Sequence, residues 1–356
     1  MNVPVSRADV VRARTTLGDS LRKTPLIPAP ELSELLGVPV LLKAELLQVT
    51  GAFKVRGVLN RLAALSEEER SRGVITVSAG NHALALAYGA RRLGIDALVV
   101  MWPGSSAMKR EAVAALGTVV DLEAADPVVA HDRLTELASS TGRIVIHPFD
   151  DPLIIAGQGT VGLEILEDCP DTTVILVPTG GGGLVSGIAV AVSDSAVRVV
   201  AVEPENSAAL HEALVAGQII KIVPRTVADG LASPFAGKNT YAISRALGVE
   251  SILVSEPALA EGMRFVYRAA KLAAEPSGAA AVAAVLARKL LVSPGDTVVL
   301  VVSGGNVDPR TALRLIADSP EPRRSESGRR DHDSAEGRAI GDSEVQARSA
   351  LKRPAS

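Results

Sequence analysis

Short uninterrupted apolar runs alternate along the chain with longer stretches in which apolar residues recur at helical spacing. The first pattern is typical of buried strands and the second of amphipathic helices. The predicted strands cover residues 38–43, 73–77, 97–101, 118–122, 143–147, 173–177, 197–202 and 296–302. The predicted helices cover residues 6–17, 31–36, 55–65, 81–93, 107–116, 128–139, 159–166, 184–192, 208–216, 241–247, 261–274 and 279–289. Continuous apolar strands that alternate with helices indicate an α/β fold with a parallel sheet covered on both faces.

The pattern ends at residue 319, after which the chain is charged, rich in serine and nearly free of large apolar side chains. Such a segment cannot bury enough surface to order itself, so residues 319–356 are predicted to form a disordered tail. The chain as a whole has 356 residues, of which 47% are hydrophobic and 22% charged. These values indicate a globular protein that is long enough for two domains.

Charge and cysteine content exclude several classes of protein. The formal net charge of −3, with no basic helix, argues against a nucleic-acid partner. No uncharged apolar run is long enough to cross a membrane, and the N-terminus lacks the apolar core of a signal peptide. The single cysteine, Cys169, cannot form an internal disulfide, which fits a reducing compartment. The sequence therefore predicts a cytoplasmic protein without a membrane segment.

Four successive glycines, Gly180 to Gly183, lie between a predicted strand and a predicted helix. Their backbone N–H groups and the positive end of the helix dipole are suited to hold a phosphate group. Glu203 ends the next strand, where a dinucleotide-binding fold places the acid that binds a ribose. The GxGxxG spacing of that fold is absent, and no Gly-Lys-Ser/Thr follows as in a Walker loop.

Lys54 stands where a loop containing Gly51 and Phe53 turns into a helix. A lysine amine can form a Schiff base with an aldehyde, and desolvation lowers its pKa into the range where it acts as nucleophile and base. The alternative for this stretch alone is a solvated lysine at the start of an amphipathic helix.

Two further polar turns follow predicted strands. Ser78 to His82 offers short polar side chains and helix N-terminal amides that suit a carboxylate, although simple N-capping explains the same residues. Ser303 to Asn306 follows the last strand, at the sheet edge where open α/β sheets bind ligands. His82 and His147 are interpreted as packed residues, and no spacing of His, Cys or Asp indicates a metal site.

Six motifs together resemble the serine/threonine dehydratase family, from residue 10 to residue 317. They are TGAFKVRG (50–57), SAGNHALALA (78–87), GQGTVGLEI (157–165), PTGGGGLVSG (178–187), EPSGAA (275–280) and VVSGGN (301–306). Members of this family are pyridoxal-phosphate enzymes of the tryptophan synthase β fold, also called fold type II. The resemblance implies two domains, each an open, mostly parallel sheet flanked by helices, with the cofactor in the cleft between them. It also implies a homodimer.

The same resemblance implies roles for individual residues. Lys54 would hold pyridoxal 5′-phosphate as a Schiff base, and Phe53 would lie near the ring. The other implied cofactor contacts are Asn81 at the 3′-oxygen, Gly180, Gly181, Gly182 and Gly183 at the phosphate, and Ser303 at the pyridine nitrogen. The substrate carboxylate would be received by Ser78 and the neighbouring turn residues Ala79, Gly80 and His82. The implied domains are 1–50 with 150–318, which binds the cofactor, 51–149, which closes over the substrate, and the tail 319–356.

The implied reaction is the removal of water and ammonia from a small β-hydroxy amino acid, by default L-threonine or L-serine, to give a 2-oxo acid. Hydroxyaspartate, phenylserine or a hydroxyectoine-derived compound remain open as substrates. Serine racemases of this family carry a serine where Ala79 stands, which argues for dehydration without racemisation. His82 favours dehydratases over β-replacement enzymes.

Three questions stay open at this point. A monovalent or divalent cation is left open. Some members of the family build a cation site that starts at an acid like Glu203 and needs a second acid six residues later, where this chain has Ala209. The family serine is replaced by Ala52 beside Lys54. From other classes, an NAD-binding oxidoreductase would use Gly180 to Gly183 and Glu203 but would leave Lys54 unexplained, and a binding protein would hold the cofactor without turnover.

Overall fold

Two open sheets organise the chain in a computed structural model that describes residues 3–317. The strands are, in chain order, β1 (Leu26–Pro28), β2 (Val40–Lys43), β3 (Val74–Val77), β4 (Ala97–Val100), β5 (Val119–Asp121), β6 (Ile144–Val145), β7 (Val174–Pro178), β8 (Arg198–Pro204), β9 (Glu250–Val254) and β10 (Val298–Val301). The six-stranded sheet has the order β1-β2-β10-β7-β8-β9, and the four-stranded sheet has the order β5-β4-β3-β6. Strand β1 is antiparallel to β2, and the other pairs are parallel. The predicted α/β class with mostly parallel sheets is confirmed.

Helices cover both sheets. They are α1 (Arg7–Leu17), α2 (Pro30–Leu36), α3 (Lys54–Ala63), α4 (Glu67–Arg72), α5 (Asn81–Leu93), α6 (Ala107–Ala115), α7 (Pro127–Thr141), α8 (Pro152–Asp168), α9 (Gly183–Ala191), α10 (Ala209–Ala216), α11 (Lys238–Ala246), α12 (Glu256–Arg268), α13 (Ala280–Leu286) and α14 (Pro309–Ala317). Side chains alternate along β7, so that Val174 and Leu176 enter one apolar core while Ile175 and Val177 enter the other. This period of two is why the sheet needs helices on both faces.

Two elements differ from the sequence-based expectation for identifiable reasons. Helix α8 begins at Pro152, seven residues before the predicted start at 159, and Asp151 caps it by accepting from the backbone N–H groups of Leu153 and Ile154. Its glycines lie at close contacts with neighbouring helices. Strand β9 was missed because it is an edge strand with an exposed Glu250 and half-buried neighbours, without a continuous apolar run.

The remaining differences are at element ends. Helix α12 runs from Glu256 to Arg268 instead of 261–274, because Ser255 accepts from the backbone N–H of Ala258 and starts it earlier. Helix α13 is shorter than predicted. Strand β1 and helices α4 and α14 were not predicted. The predicted tail, 319–356, lies outside the described residues, and the division into domains stays a prediction.

Helix α8 lies between α3 and α9 with glycines at both contacts. A Cβ on Gly157 would lie 2.6 Å from both the carbonyl oxygen of Arg56 and the Cα of Gly57 in α3. On the other side, a Cβ on Gly159 would lie 2.6 Å from the carbonyl oxygen of Gly187 in α9. Only glycine allows backbones to approach this closely, so the three helices are held at a fixed spacing.

A buried charge network secures the first turn of α3. The Arg56 guanidinium donates to Glu45 (2.7 Å) and to Glu164 (2.6 Å), and the Lys43 ammonium donates to the second oxygen of Glu164 (2.6 Å). Arg56, Glu45 and Lys43 are at most 1% exposed. The network joins β2, α3 and α8 two residues after Lys54.

An Arg56→Met substitution is expected to lower the free energy of unfolding by about 3–5 kcal/mol, since it leaves the buried Glu45 carboxylate without its cation and leaves Glu164 with Lys43 alone. The measurement is urea denaturation followed by circular dichroism. The matched control is Arg198→Met, which removes an exposed ion pair with Glu250 and should cost less than about 1 kcal/mol. Equal losses in the two variants would contradict this interpretation.

No helix among residues 3–317 is long and apolar enough to cross a lipid bilayer.

Candidate active site

Three neighbouring strands place Lys54, Ser303 and the glycine loop at one edge of the six-stranded sheet. Strand β10 pairs with β2 on one side and with β7 on the other, all in parallel. The loop to Lys54 follows β2, Ser303 follows β10, and the glycines 180–183 follow β7. The carboxyl ends of parallel strands meet at one edge, so residues far apart in sequence become neighbours.

Lys54 is the first residue of α3, and its amine donates a hydrogen bond to the carbonyl oxygen of Pro148 at 2.9 Å. The amine also lies 5.2 Å from the centre of the Phe53 ring. The backbone N–H of Phe53 donates to the carbonyl oxygen of Ser303 (3.1 Å), and Ala52 forms a bridge with Gly304. The structure therefore brings Phe53, Lys54 and Ser303 together.

Burial lowers the pKa of Lys54 to about 8, although the negative charge of Glu275 opposes this shift. At pH 7 about one amine in ten is then neutral, far more than for a solvated lysine. The half-buried Lys54 is thus not the solvated lysine of the alternative interpretation.

The two histidines nearest Lys54 add no positive charge to it. Burial lowers the pKa of His82 to about 3, with a smaller contribution from the Lys54 charge. Its Nε2 donates to the carbonyl oxygen of Ile146, and its buried Nδ1 has no partner. Burial likewise lowers the pKa of His147, whose Nδ1 accepts from the backbone N–H groups of Phe149 and Asp150. Both imidazoles are therefore neutral.

The glycine loop leads directly into α9. Gly182 is the residue before the helix and has φ of +95°, a conformation that side-chain-bearing residues rarely adopt. A Cβ on Gly181 would lie 2.5 Å from ring atoms of Phe149. The carbonyl oxygen of Gly181 accepts from the Thr240 hydroxyl at 2.7 Å. Bare amides at the start of a helix are the arrangement that binds phosphate.

One dipeptide connects the lysine with the glycine loop. Pro148 accepts the hydrogen bond of the Lys54 amine, and the next residue, Phe149, lies against Gly181. Asp150 follows and accepts from backbone N–H groups at the start of α11. The amine and the phosphate-type loop consequently border the same small region.

The Asn81 side chain is held from both sides. Its Nδ2 donates to Glu275 Oε1 at 2.6 Å, and its Oδ1 accepts from Asn306 Nδ2 at 2.9 Å. Asn306 also donates to the carbonyl oxygen of Thr50, beside the lysine loop. These bonds fix the orientation of the amide and leave the second N–H of Asn81 for a ligand.

Glu275 is a buried carboxylate beside this amide. Its Oε1 lies 2.6 Å from the position that a Cβ on Gly304 would take. Burial raises the pKa of Glu275 to about 7, and the Lys109 ammonium opposes that shift. Lys109 is itself buried and donates to Asp229 at 2.6 Å. A carboxyl group with a pKa near 7 in a cleft is typical of functional sites.

The turn after β3 borders Lys109 as well. Ser78 Oγ accepts from the backbone N–H of Gly80 (3.2 Å), and Gly80 stands at the N-cap of α5. A Cβ on Gly80 would lie 3.8 Å from the Lys109 ammonium. Ala79 lies half-buried between them. The roles of Ser78, Ala79, Gly80 and His82 toward a substrate stay predictions, as does the contact of Ser303 with a ring nitrogen.

Glu203 lies in β8 and is fully buried. Its two oxygens accept from the backbone N–H groups of Leu210 and His211 at the start of α10, each at 2.8 Å. The carboxylate thus caps a helix. Within residues 3–317 there is no group of three or more His, Cys, Asp or Glu residues that could hold a metal ion.

Sequence patterns did not assign a role to Glu275, Lys109 or Asn306. Glu275 and Asn306 stand inside two of the six motifs, and this position could have identified them as candidate site residues. Lys109 has no such signal because its neighbours Asp229 and Glu275 come from distant parts of the chain.

These residues fit a small phosphorylated aldehyde. The glycine loop presents backbone amides without side chains at the start of α9, and a half-buried amine of lowered pKa bonds to the dipeptide that lies against this loop. An amine and a phosphate cradle are what pyridoxal phosphate requires of its protein.

Comparisons with known proteins agree with this chemistry. Residues 17–304 match the family model of the pyridoxal-phosphate-dependent enzymes. An L-threonine ammonia-lyase of Thermotoga maritima is 41% identical over 315 residues, which cover 88% of this chain and 78% of the relative. A solved threonine deaminase from T.th. is 40% identical with a TM-score of 0.79, and the match covers 85% of this chain and 99% of that one. The solved structure of maize serine racemase has 34% sequence identity and a TM-score of 0.83, and the match covers 88% of this chain and 97% of that one.

The match in fold, the coverage of both chains and the buried lysine connected with a glycine-rich loop lead to one conclusion. The chain belongs to the family of pyridoxal-phosphate-dependent enzymes, with the two-sheet architecture of fold type II.

Proposed function

We propose that this protein is an ammonia-lyase that converts a small β-hydroxy amino acid, by default L-threonine or L-serine, to a 2-oxo acid and ammonia. The observation that carries the proposal is the connection of Lys54 with the glycine loop through Pro148 and Phe149. The identity of 41% with an L-threonine ammonia-lyase supports this substrate class.

Five groups of residues would hold the cofactor. They are Lys54 at the aldehyde carbon, Phe53 beside the ring, Asn81 at the 3′-oxygen, Gly180 to Gly183 at the phosphate and Ser303 at the pyridine nitrogen. When bound, pyridoxal phosphate supplies the electron sink for the bond-breaking steps.

The protein's own contribution is proton transfer and orientation. The neutral amine of Lys54 takes the proton from the α-carbon of the substrate at Nζ. The neutral imidazoles of His82 and His147 keep further positive charge away from that amine, so its lowered pKa persists. The turn Ser78 to Gly80 would receive the substrate carboxylate at the positive end of α5.

The direct test is an assay for 2-oxo acid and ammonia with the purified holoenzyme. The substrates are L-threonine, L-serine, hydroxyaspartate, phenylserine and a hydroxyectoine-derived compound. Release of 2-oxobutanoate and ammonia in equal amounts from threonine is expected. If protein that shows the visible band of bound cofactor released no 2-oxo acid from any of these substrates, the proposal would be wrong. The alternative of a binding protein without turnover would then be favoured.

Ala79 bears on the alternative of a serine racemase. An alanine has no hydroxyl to exchange a proton on the face of the substrate opposite Lys54. We expect the wild type to release pyruvate from L-serine with less than about one D-serine per hundred turnovers, and Ala79→Ser to raise that share at least about tenfold. Chiral chromatography measures it, with Ala79→Gly as the control without a hydroxyl. Equal D-serine formation by all three proteins would contradict the role of residue 79.

The oxidoreductase alternative has less support. Glu203, which would bind the ribose, has both oxygens occupied by backbone amides of α10. An NAD-dependent oxidation or reduction would also not explain a half-buried lysine of lowered pKa such as Lys54.

The lowered pKa of Lys54 predicts how cofactor attachment depends on pH. Because only the neutral amine attacks an aldehyde, the attachment rate should rise about tenfold per pH unit below a midpoint near 8 and then level off. Stopped-flow absorbance after mixing apoprotein with pyridoxal phosphate measures this rate. In Glu275→Gln, loss of the negative charge that raises the Lys54 pKa should move the midpoint to lower pH. A midpoint near that of free lysine would contradict the prediction.

We also propose that the enzyme acts as a cytoplasmic homodimer whose segment 51–149 closes over the substrate. The single cysteine and the family resemblance support these points, and sedimentation of the holoenzyme tests the dimer.

A further inference from the structure

Lys109 occupies a position between two carboxylates that differ in environment. Its ammonium donates to Asp229 Oδ2 at 2.6 Å and lies 4.0 Å from Glu275 Oε2. Lys109 and Glu275 are 7% and 2% exposed, whereas the Asp229 side chain is 59% exposed. The lysine is therefore bonded to the carboxylate that water already solvates and not to the buried one.

The buried carboxylate is incompletely satisfied in this arrangement. Glu275 Oε2 has no hydrogen-bond partner, although Oε1 accepts from Asn81. An unpaired buried oxygen of this kind is destabilising, because no hydrogen bond compensates for its loss of contact with water. A lysine has three N–H donors, and a shift of about 1 Å would bring its ammonium within hydrogen-bond distance of Oε2.

The three groups come from different parts of the fold. Lys109 lies on α6, beside the four-stranded sheet, while Asp229 begins a 3-10 turn (Asp229–Leu231) whose Leu231 lies against Gly180. Glu275 is linked through Asn81 to the cofactor region. A movement of α6 relative to this turn would change which carboxylate the lysine meets.

We propose that Lys109 is a positioning residue shared by Asp229 and Glu275, and that release from Asp229 brings its ammonium to the free oxygen of Glu275. Pairing with Glu275 holds that carboxylate ionised, and Glu275 in turn orients the Asn81 amide. The inference rests on the proposed function, because it takes Asn81 as a partner of the cofactor.

Charged groups that face Glu275 come from three elements. They are Lys54 at the start of α3, Lys109 on α6 and Asp229 in the 3-10 turn. Simple Coulomb effects already make Asp229 raise and Lys109 lower the pKa of Glu275. A test must therefore distinguish a lysine that changes partner from two charges that act independently.

The test is an infrared titration of the holoenzyme, in which the band of the protonated Glu275 carboxyl is identified by subtracting the Glu275→Gln spectrum. The wild-type midpoint should lie near 7. Asp229→Asn frees the lysine, so the Glu275 midpoint in this variant should fall by at least about one pH unit. In Lys109→Met the Glu275 midpoint should rise by a similar amount. When Asp229→Asn is introduced into Lys109→Met, it should shift the Glu275 midpoint by less than half of the shift that it causes in the wild type.

An Asp229→Asn shift that is the same with and without Lys109 would overturn the proposal, because it would mean independent charges. Lys109→Arg is the control that keeps the charge, and Lys109→Gln replaces Lys109→Met in both arms if the latter does not fold. Cofactor affinity gives a second measure: Lys109→Met should weaken it in the presence of Glu275 but not in Glu275→Gln. The titration needs no turnover, so an enzyme that released no 2-oxo acid would refute the proposed function while leaving this test intact.

Discussion

A Lys54→Ala variant is expected to lose turnover by about 10⁴-fold or more while keeping its fold. In the proposed mechanism the amine is both the attachment point of the cofactor and the base that removes the α-proton, so one substitution would remove two functions. The measurement is 2-oxo acid release from threonine, together with borohydride reduction and mass spectrometry of the labelled peptide. Label should appear on Lys54 in the wild type and be absent from the variant.

Lys221→Ala is the matched control, since Lys221 is an exposed lysine outside the site. It should keep wild-type activity and the label on Lys54. Lys54→Arg separates charge from nucleophilicity, because arginine keeps the positive charge but cannot form the Schiff base. Full activity in Lys54→Ala would exclude the mechanism proposed for this protein.

A Gly181→Ala variant is expected to bind pyridoxal phosphate at least about 100-fold more weakly, which corresponds to about 2.7 kcal/mol. The new Cβ would lie 2.5 Å from the Phe149 ring, so either the ring or the loop must move. Displacement of Phe149 would also displace Pro148, the acceptor of the Lys54 hydrogen bond. Cofactor affinity is measured by fluorescence titration of the apoprotein.

The control for an added methyl group is Gly104→Ala, where the nearest atom to a Cβ is a Trp102 carbon at an ordinary 3.6 Å. This variant should bind the cofactor as the wild type does. A second variant, Gly181→Ala with Phe149→Ala, relieves the clash and should recover part of the affinity. If Gly181→Ala bound the cofactor normally, the loop would not be the phosphate site.

Helix-capping residues and apolar periodicity predicted secondary-structure elements well where the predicted apolar face is also the buried face. Ser6, a residue type that often caps helices, stands at the start of the predicted first helix and caps α1 in a capping box with Asp9. Helix α5 has the predicted bounds because Gly94 ends it in a left-handed conformation. The glycine loop indicated a phosphate site because four successive glycines have few other uses between a strand and a helix. Lys54 alone fitted a solvated lysine equally, and its role was predicted from the resemblance.

Contacts between distant segments could not be predicted in the same way. Nothing local to Glu275 shows that it lies beside Asn81, and nothing local to Lys109 shows that Asp229 is its partner. Strand β9 forms because β8 offers it an edge, so its identity depends on tertiary structure. The glycines of α8 lower its intrinsic helix propensity, and only the close contacts with the neighbouring helices explain why glycine stands at these positions.

The contacts of α8 with α3 and α9 have a further consequence for the evolution and engineering of this enzyme. Main chain meets main chain at Gly57–Gly157 and at Gly159–Gly187, so no change of side-chain rotamer can alter the distance between α3 and α9. A rigid cofactor that is bound at its aldehyde by one helix and at its phosphate by the other would require a constant distance between the two binding groups. New substrate preferences should therefore arise from the turns around Ser78 and Asp229, while the three-helix frame tolerates almost no change.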